Sequence, residues 1–213
     1  EHWTSQLIAR GQELDLWKAD EIMNLEYEKR DGTRMVPSLV LVDSGDQTDM
    51  VYDFCVDTAD YTMPCKGSSK KLEADYKYSV INKAGSRATG MNLVYVDTKK
   101  YKDRIAARMR RENGTGAWMV FNGIDEDYAS QVTAEHKINE RQANGTIVEK
   151  WVQKTTHAAN HYLDAEVYAM AAADIRGARR WHQERYVPPA PAKRPEKPPE
   201  EQWIRENELK GWE

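Results

Sequence analysis

The chain has 213 residues, 40% hydrophobic and 31% charged, with a formal charge of −4; that suits one domain with an appendage, and the mild acidity leaves nucleic acid open, because a DNA track can be a local patch. Two cysteines, Cys55 and Cys65, are too few for a disulfide scaffold and lack zinc spacing, so they read as reduced thiols in a cytoplasmic protein. No apolar run approaches the ~20 residues of a membrane span and no signal peptide is visible, while the opening Glu-His-Trp-Thr, without an initiator Met, reads as a fragment of something longer.

Residues 3–8 are compatible with a short strand. Leu14, Trp17, Ile22, Met23 and Leu25 have roughly helical spacing and predict a helix over 14–27, followed by a turn at Asp31-Gly32. Ser-Leu-Val-Leu-Val over 38–42 is a continuous apolar run, as in a strand buried on both faces of a parallel sheet, and it ends at Asp43-Ser44-Gly45. A helix is expected over 48–57 with Thr48 as a candidate cap, then a strand over 61–66 closing on Gly67. Residues 70–90 are polar and rich in Gly, Ser and Lys and read as a long loop or weak hairpin. Another apolar strand, 92–96, ends at Asp97-Thr98, and a helix over 99–112 carries Lys99, Lys100, Lys102, Arg104, Arg108 and Arg110.

A strand over 117–121 and a helix over 126–134 come next. Segments 136–140 and 146–153 flank Asn144-Gly145, a two-residue hairpin signal. Residues 160–176 form the strongest helix, Ala-rich and stopped by Gly177. Prolines 188, 189, 191, 195, 198 and 199 then interrupt regular structure; an extended linker leads to a short amphipathic piece with Trp203, Ile204, Leu209 and Trp212. The expected organisation is one domain over 1–180 and a Pro-rich linker and tail over 181–213. Strands alternating with helices, then a hairpin and a last helix, imply an α/β fold with a mixed sheet.

Asp43 stands where a buried strand runs out, the position at which open α/β sheets collect ligands. It is either a cap for the next helix or a site residue; Asp46 is available to cap instead. His157, His161, Asp164 and Tyr168 are spaced as one helical stripe, with Asn160 beside them. Such a stripe is usually a solvated face. This one has no Lys, Glu or Arg, and its residue types suit a site. The His157/His161 pair also permits zinc, but no third soft ligand is evident. Lys66 ends a strand, and Lys100 and Arg104 open the basic helix, where lysine suits the dipole poorly unless it faces an anion such as a DNA backbone. The bland reading of the basic run is a solvated helix face. No ATPase P-loop and no nucleophile elbow is present. The Asn-Gly-Thr stretches at 113 and 144 read as turns.

These segments together resemble the nuclease region of the lambda-type terminase large subunit. Val42-Asp43-Ser44-Gly45 resembles that family's strand ending in Asp-Thr/Ser-Gly, and Val51-Tyr52-Asp53-Phe54-Cys55 the helix after it. Lys66-Gly67, Asp97-Thr98-Lys99-Lys100 and Val132-Thr133-Ala134-Glu135 resemble its Lys-Gly, Asp-Thr-x-Lys and Leu-Thr-Ala-Glu. Trp151, then Asn160-His161-Tyr162-Leu163-Asp164 with Val167-Tyr168-Ala169, resemble its Trp and its Asn-Glu-Ala-Leu-Asp and Val-Tyr-Ala, with His161 where the family has Glu.

The resemblance implies an RNase H-like mixed sheet flanked by helices, incomplete at the N-terminus because the first strand, with the first acid, and an ATPase domain would precede Glu1. It implies an endonuclease that cuts concatemeric viral DNA during packaging. Asp43 and Asp164 would hold Mg²⁺ or Mn²⁺, two ions in the intact site, and Lys66, Lys100 and Arg104 are candidate DNA contacts. ATP would act only through the preceding domain. Expected partners are double-stranded DNA, the terminase small subunit and, through the tail, the portal protein, with no membrane. The isolated chain is expected to cut weakly. Two rival readings stay open, a non-catalytic binding scaffold of the same fold and a resolvase-like nuclease.

Overall fold

The computed structural model describes residues 3–29, 31–68 and 70–180. The linker and tail expected over 181–213 lie outside the described residues.

β1 (Ser5–Gln6) is shorter than expected and pairs in parallel with β8 (Trp118–Met119). α1 spans Leu16–Met23, capped by Asp15, whose side chain accepts from the Trp17 amide. The expected helix over 14–27 therefore ends early. Tyr27 goes instead into β2 (Tyr27–Glu28), which pairs antiparallel with β3 (Arg34–Met35) across the Asp31-Gly32 turn.

The central sheet has four strands in the order β4-β5-β7-β6. β4 (Val40–Asp43), β5 (Thr62–Gly67) and β7 (Asn92–Val96) run in parallel, with Asp43 opposite Cys65 and Cys65 opposite Val94. β6 (Tyr76–Val80) is antiparallel to β7 and gives a regular edge strand to a stretch expected to be loop or weak hairpin. Its Lys and Ser alternate with Tyr and Val, as a strand half exposed at a sheet edge should.

α2 (Thr48–Asp57) joins β4 to β5 and buries Val51, Tyr52, Phe54 and Cys55. Thr48 is not its cap. Gln47 holds that position with φ 46° and makes no capping bond, while the Thr48 hydroxyl donates to the Ser44 carbonyl at 2.8 Å. α3 (Thr98–Met109) is capped by Asp97, which accepts from the Lys100 amide. α4 spans Glu126–Val132 and α5 His161–Ile175; beyond α5, Gly177 takes φ 80° and its amide donates to the Asp174 carbonyl, which ends the helix.

Alternation along the strands distributes the core. Val94, Val96 and Cys65 face α3 and α5, where they meet Tyr101, Ile105, Val167 and Tyr168. Leu93 and Val42 face the opposite side, toward Tyr52 and Phe54 of α2. Helices on both faces explain why β7 reads as an apolar run rather than an alternating one.

β9 (Glu135–Arg141) and β10 (Ile147–Gln153) form the expected hairpin, but its loop is longer than the two-residue turn that Asn144-Gly145 suggests. Trp151 ties it to α3, its indole N–H donating to Asp103 at 2.9 Å, and Lys137 pairs with the same carboxylate at 2.9 Å.

Glu166 ties α5 to its neighbours, accepting from the Trp118 indole and the Tyr128 hydroxyl at 2.7 Å each. Tyr128 is buried, so removing the carboxylate strands its donor away from water. Glu166→Ala is expected to cost about 1–3 kcal/mol of stability, measured by urea unfolding; an unchanged midpoint would show that the two donors find other partners.

Candidate active site

Asp43 is the last residue of β4, and its neighbour continues the ladder: the Ser44 amide and hydroxyl both donate to the Cys65 carbonyl, at 2.8 and 2.9 Å. With that backbone fixed, Oδ1 of Asp43 accepts from the Gly45 amide at 2.9 Å, and Oδ2 accepts from the Tyr168 hydroxyl at 3.2 Å. Burial, then the neighbouring Cys65, Asp43 and Asp164, push the Tyr168 hydroxyl pKa far up, so it remains a donor.

Asp164 lies one turn before Tyr168 on α5. Burial raises its carboxyl above the ordinary carboxylate range; Lys102 opposes that shift, and Glu135 and Asp43 add to it. Asp43 and Asp164 come from the end of β4 and the first turn of α5. Both line a groove of about 530 Å³ along β4, shared with His161 and Tyr168 at its polar end and with Leu16, Met23 and Phe54 elsewhere. β4 is one of the two edge strands of the sheet, so the groove follows an edge that is open among the described residues.

Two further residues enter the site. Lys102 of α3 donates to both carboxylate oxygens of Glu135, at 2.7 and 2.9 Å, and lies 3.3 Å from Oδ1 of Asp164. Glu135 opens β9. Asn160, just before α5, donates to Glu135 at 2.8 Å and to Asp164 at 3.2 Å. Sequence reading gave no role to Glu135, although it lies within one of the resembling motifs, and treated Lys102 only as part of a basic run.

The remaining candidates separate. His157 lies in the loop before α5 with φ 62°, so the helical stripe begins at His161 and the two histidines do not share a helix face. Lys66 follows Cys65 on β5 and by alternation faces away from α5. Lys100 turns its ammonium to the carbonyls of Leu72, Glu73 and Ala74 at 2.9–3.2 Å, with Asp97 at 3.6 Å. Arg104 pairs with Asp75 at 2.7 Å and Asp174 at 3.4 Å. The anions that these two cations face are internal.

Hard carboxylate oxygens have the right chemistry for Mg²⁺ or Mn²⁺, and Asp43 with Asp164 fits such an ion as part of a ligand set. Among the described residues no three His, Cys, Asp or Glu side chains gather to hold a metal.

The model of one protein family, described as the terminase large subunit gpA endonuclease domain, matches residues 8–184. No curated protein and no solved structure matches the chain. Among the described residues no helix is long and apolar enough to cross a membrane.

Gly67 accounts for the Lys-Gly motif. A Cβ there would meet the Thr98 methyl at 3.0 Å and the Tyr168 hydroxyl at 3.4 Å. Gly67→Ala is expected to cost about 1–3 kcal/mol by crowding this junction. Thr98→Ser, which deletes the methyl, should recover most of that loss in the double variant; thermal unfolding of the four-member cycle measures the coupling, and simple additivity would refute it.

Proposed function

The chain belongs to the endonuclease-domain family of the terminase large subunit, and on that premise we propose that it cuts concatemeric double-stranded DNA in a viral packaging motor, with Asp43 and Asp164 as metal ligands at the site of cutting. The observation that supports this most is the placement of two carboxylates, from a strand end and a late helix, on one groove. Divalent ions bound there would neutralise the scissile phosphate and stabilise charge on its oxygens. Tyr168 holds Asp43 in orientation; Asn160 and Lys102 hold Asp164.

We place the missing part of the ligand set at the open edge of β4. A strand added there would stand beside Asp43 and bring a further acid, as the resemblance to an RNase H-like sheet implies. DNA is the substrate on this reading, with the small subunit and portal as partners in the motor.

A second reading draws on the incomplete ligand set: the fold serves as a non-catalytic scaffold for DNA or protein. Asp43→Asn and Asp164→Asn in the intact large subunit separate the two. Even outer hydrogen-bond partners of a metal matter 10–100-fold, so each change should reduce Mg²⁺-dependent plasmid cleavage by more than about 100-fold while ATP hydrolysis persists. Unchanged cleavage would sink the enzyme reading.

The Pro-rich tail is proposed as a tethered docking peptide for the portal, its Trp203, Ile204, Leu209 and Trp212 serving as anchors. Deleting residues 188–213 should spare nuclease activity and abolish portal binding in a pull-down; retained binding refutes the docking role.

A further inference from the structure

Lys102 is an unusual neighbour for Asp164, one of the two proposed metal ligands. Its side chain is 11% exposed and that of Glu135 only 7%. The ammonium donates to both oxygens of Glu135 and reaches Oδ1 of Asp164, while the Asn160 amide donates to the same two carboxylates. One ammonium and one amide therefore lock Glu135 to Asp164. The lysine's backbone is fixed, because it follows Tyr101, which with Ile105 holds α3 against the sheet, both fully buried; the side chain alone is left to move.

An ammonium and a divalent ion require the same lone pairs. A charge held this far from water persists where it is paired, so a metal approaching Asp164 meets both an occupied oxygen and a fixed like charge. We propose that Lys102 is the resident cation of this site: it competes with the divalent ion for Asp164 and Glu135, and so sets how tightly the site takes up metal. This rests on the reading of Asp43 and Asp164 as ligands. Lys102 is a positioning residue. It holds the two carboxylates together before metal arrives, then yields Asp164 to the ion.

The sign of the effect tests it. In Mn²⁺ titrations of the full 213-residue chain, followed by calorimetry and by the loss of free-ion paramagnetic signal, Lys102→Met should tighten binding by about tenfold or more, a change of about 1.4 kcal/mol. Lys102→Arg, which keeps the charge, should stay near wild type. A merely structural lysine would weaken binding when lost. Unchanged or weaker binding in Lys102→Met, or no binding in either protein, overturns the proposal.

The wild-type chain gives a second readout that needs no variant to fold. Saturating Mg²⁺ should free the Lys102 amine and raise its rate of acylation by an amine-reactive ester, read by peptide mass spectrometry; an unchanged or lower rate overturns the proposal. Asp43→Asn in the same titrations tests the premise separately. If that variant binds Mn²⁺ as wild type does, the ligand reading of Asp43 fails, whatever Lys102 does.

Discussion

The hydroxyl of Tyr168 is the point on which the site depends. It donates to Asp43, approaches the backbone of Gly67 and sits one helical turn from Asp164. A Cβ at 67 would crowd the Thr98 methyl at 3.0 Å and touch the hydroxyl at 3.4 Å; a donor lost from 168 would leave Asp43 held only by its own turn. The placement is inherited from the fold. α5 is rich in alanine and comes close to the ends of the parallel strands, and β4 and β5 are in register so that Asp43 lies opposite Cys65. Strand register, helix approach and the orientation of one carboxylate are thus a single constraint, because a one-residue slip of β4 would turn Asp43 to the other face.

The second constraint is charge. α3 carries five basic residues, of which Lys100 and Arg104 were candidate DNA contacts, the run as a whole reading as a solvated face. Much of that charge is used inside the molecule. Lys100 closes the 72–75 segment onto the helix start, Lys102 joins Glu135 to Asp164, and Arg104 joins Asp75 to Asp174. Arg108, 3% exposed, donates to the Trp3 carbonyl and stacks over the Trp3 ring at 4.0 Å. Cations withdrawn from water need such partners, and each of these partners comes from a distant part of the chain. The helix is better described as a fastener between elements than as a basic face.

That distinction explains what could be read from the sequence. The apolar runs at β4 and β7, the Ala-rich last helix and its glycine stop are local patterns, and they located Asp43 at a strand end and Asp164 on a helix. β6 was obscured because an exposed edge strand mixes Lys and Ser with its Tyr and Val and lacks the signature of its buried neighbours. His157 fitted a helical stripe arithmetically, but the chain turns left-handed there and the helix starts later. Glu135 and Lys102 were the deeper omission. Their roles exist only through pairing across 33 residues, and again to Asp164; no spacing rule reports that a basic helix and a hairpin strand converge on one carboxylate.

The convergence bears on how a polyanion can be handled here. Glu135 and Asp164 share one ammonium, and Asp43, on the same groove as Asp164, has only an amide and a hydroxyl for partners, so these carboxylates outnumber the cation at this site. A phosphodiester brought to it unaided would be repelled, all the more because part of the cluster is shielded from water. For the proposed reaction, positive charge has to enter with or before the DNA, and the oxygens best placed to receive it are those of Asp43, which faces the groove with a neutral hydroxyl as its side-chain partner. On that reading Oδ1 of Asp164 becomes available as Lys102 releases it. On the proposed reading the site has a graded order of access, Asp43 first and Asp164 second, and this order follows from the neighbours of each carboxylate rather than from the carboxylates themselves.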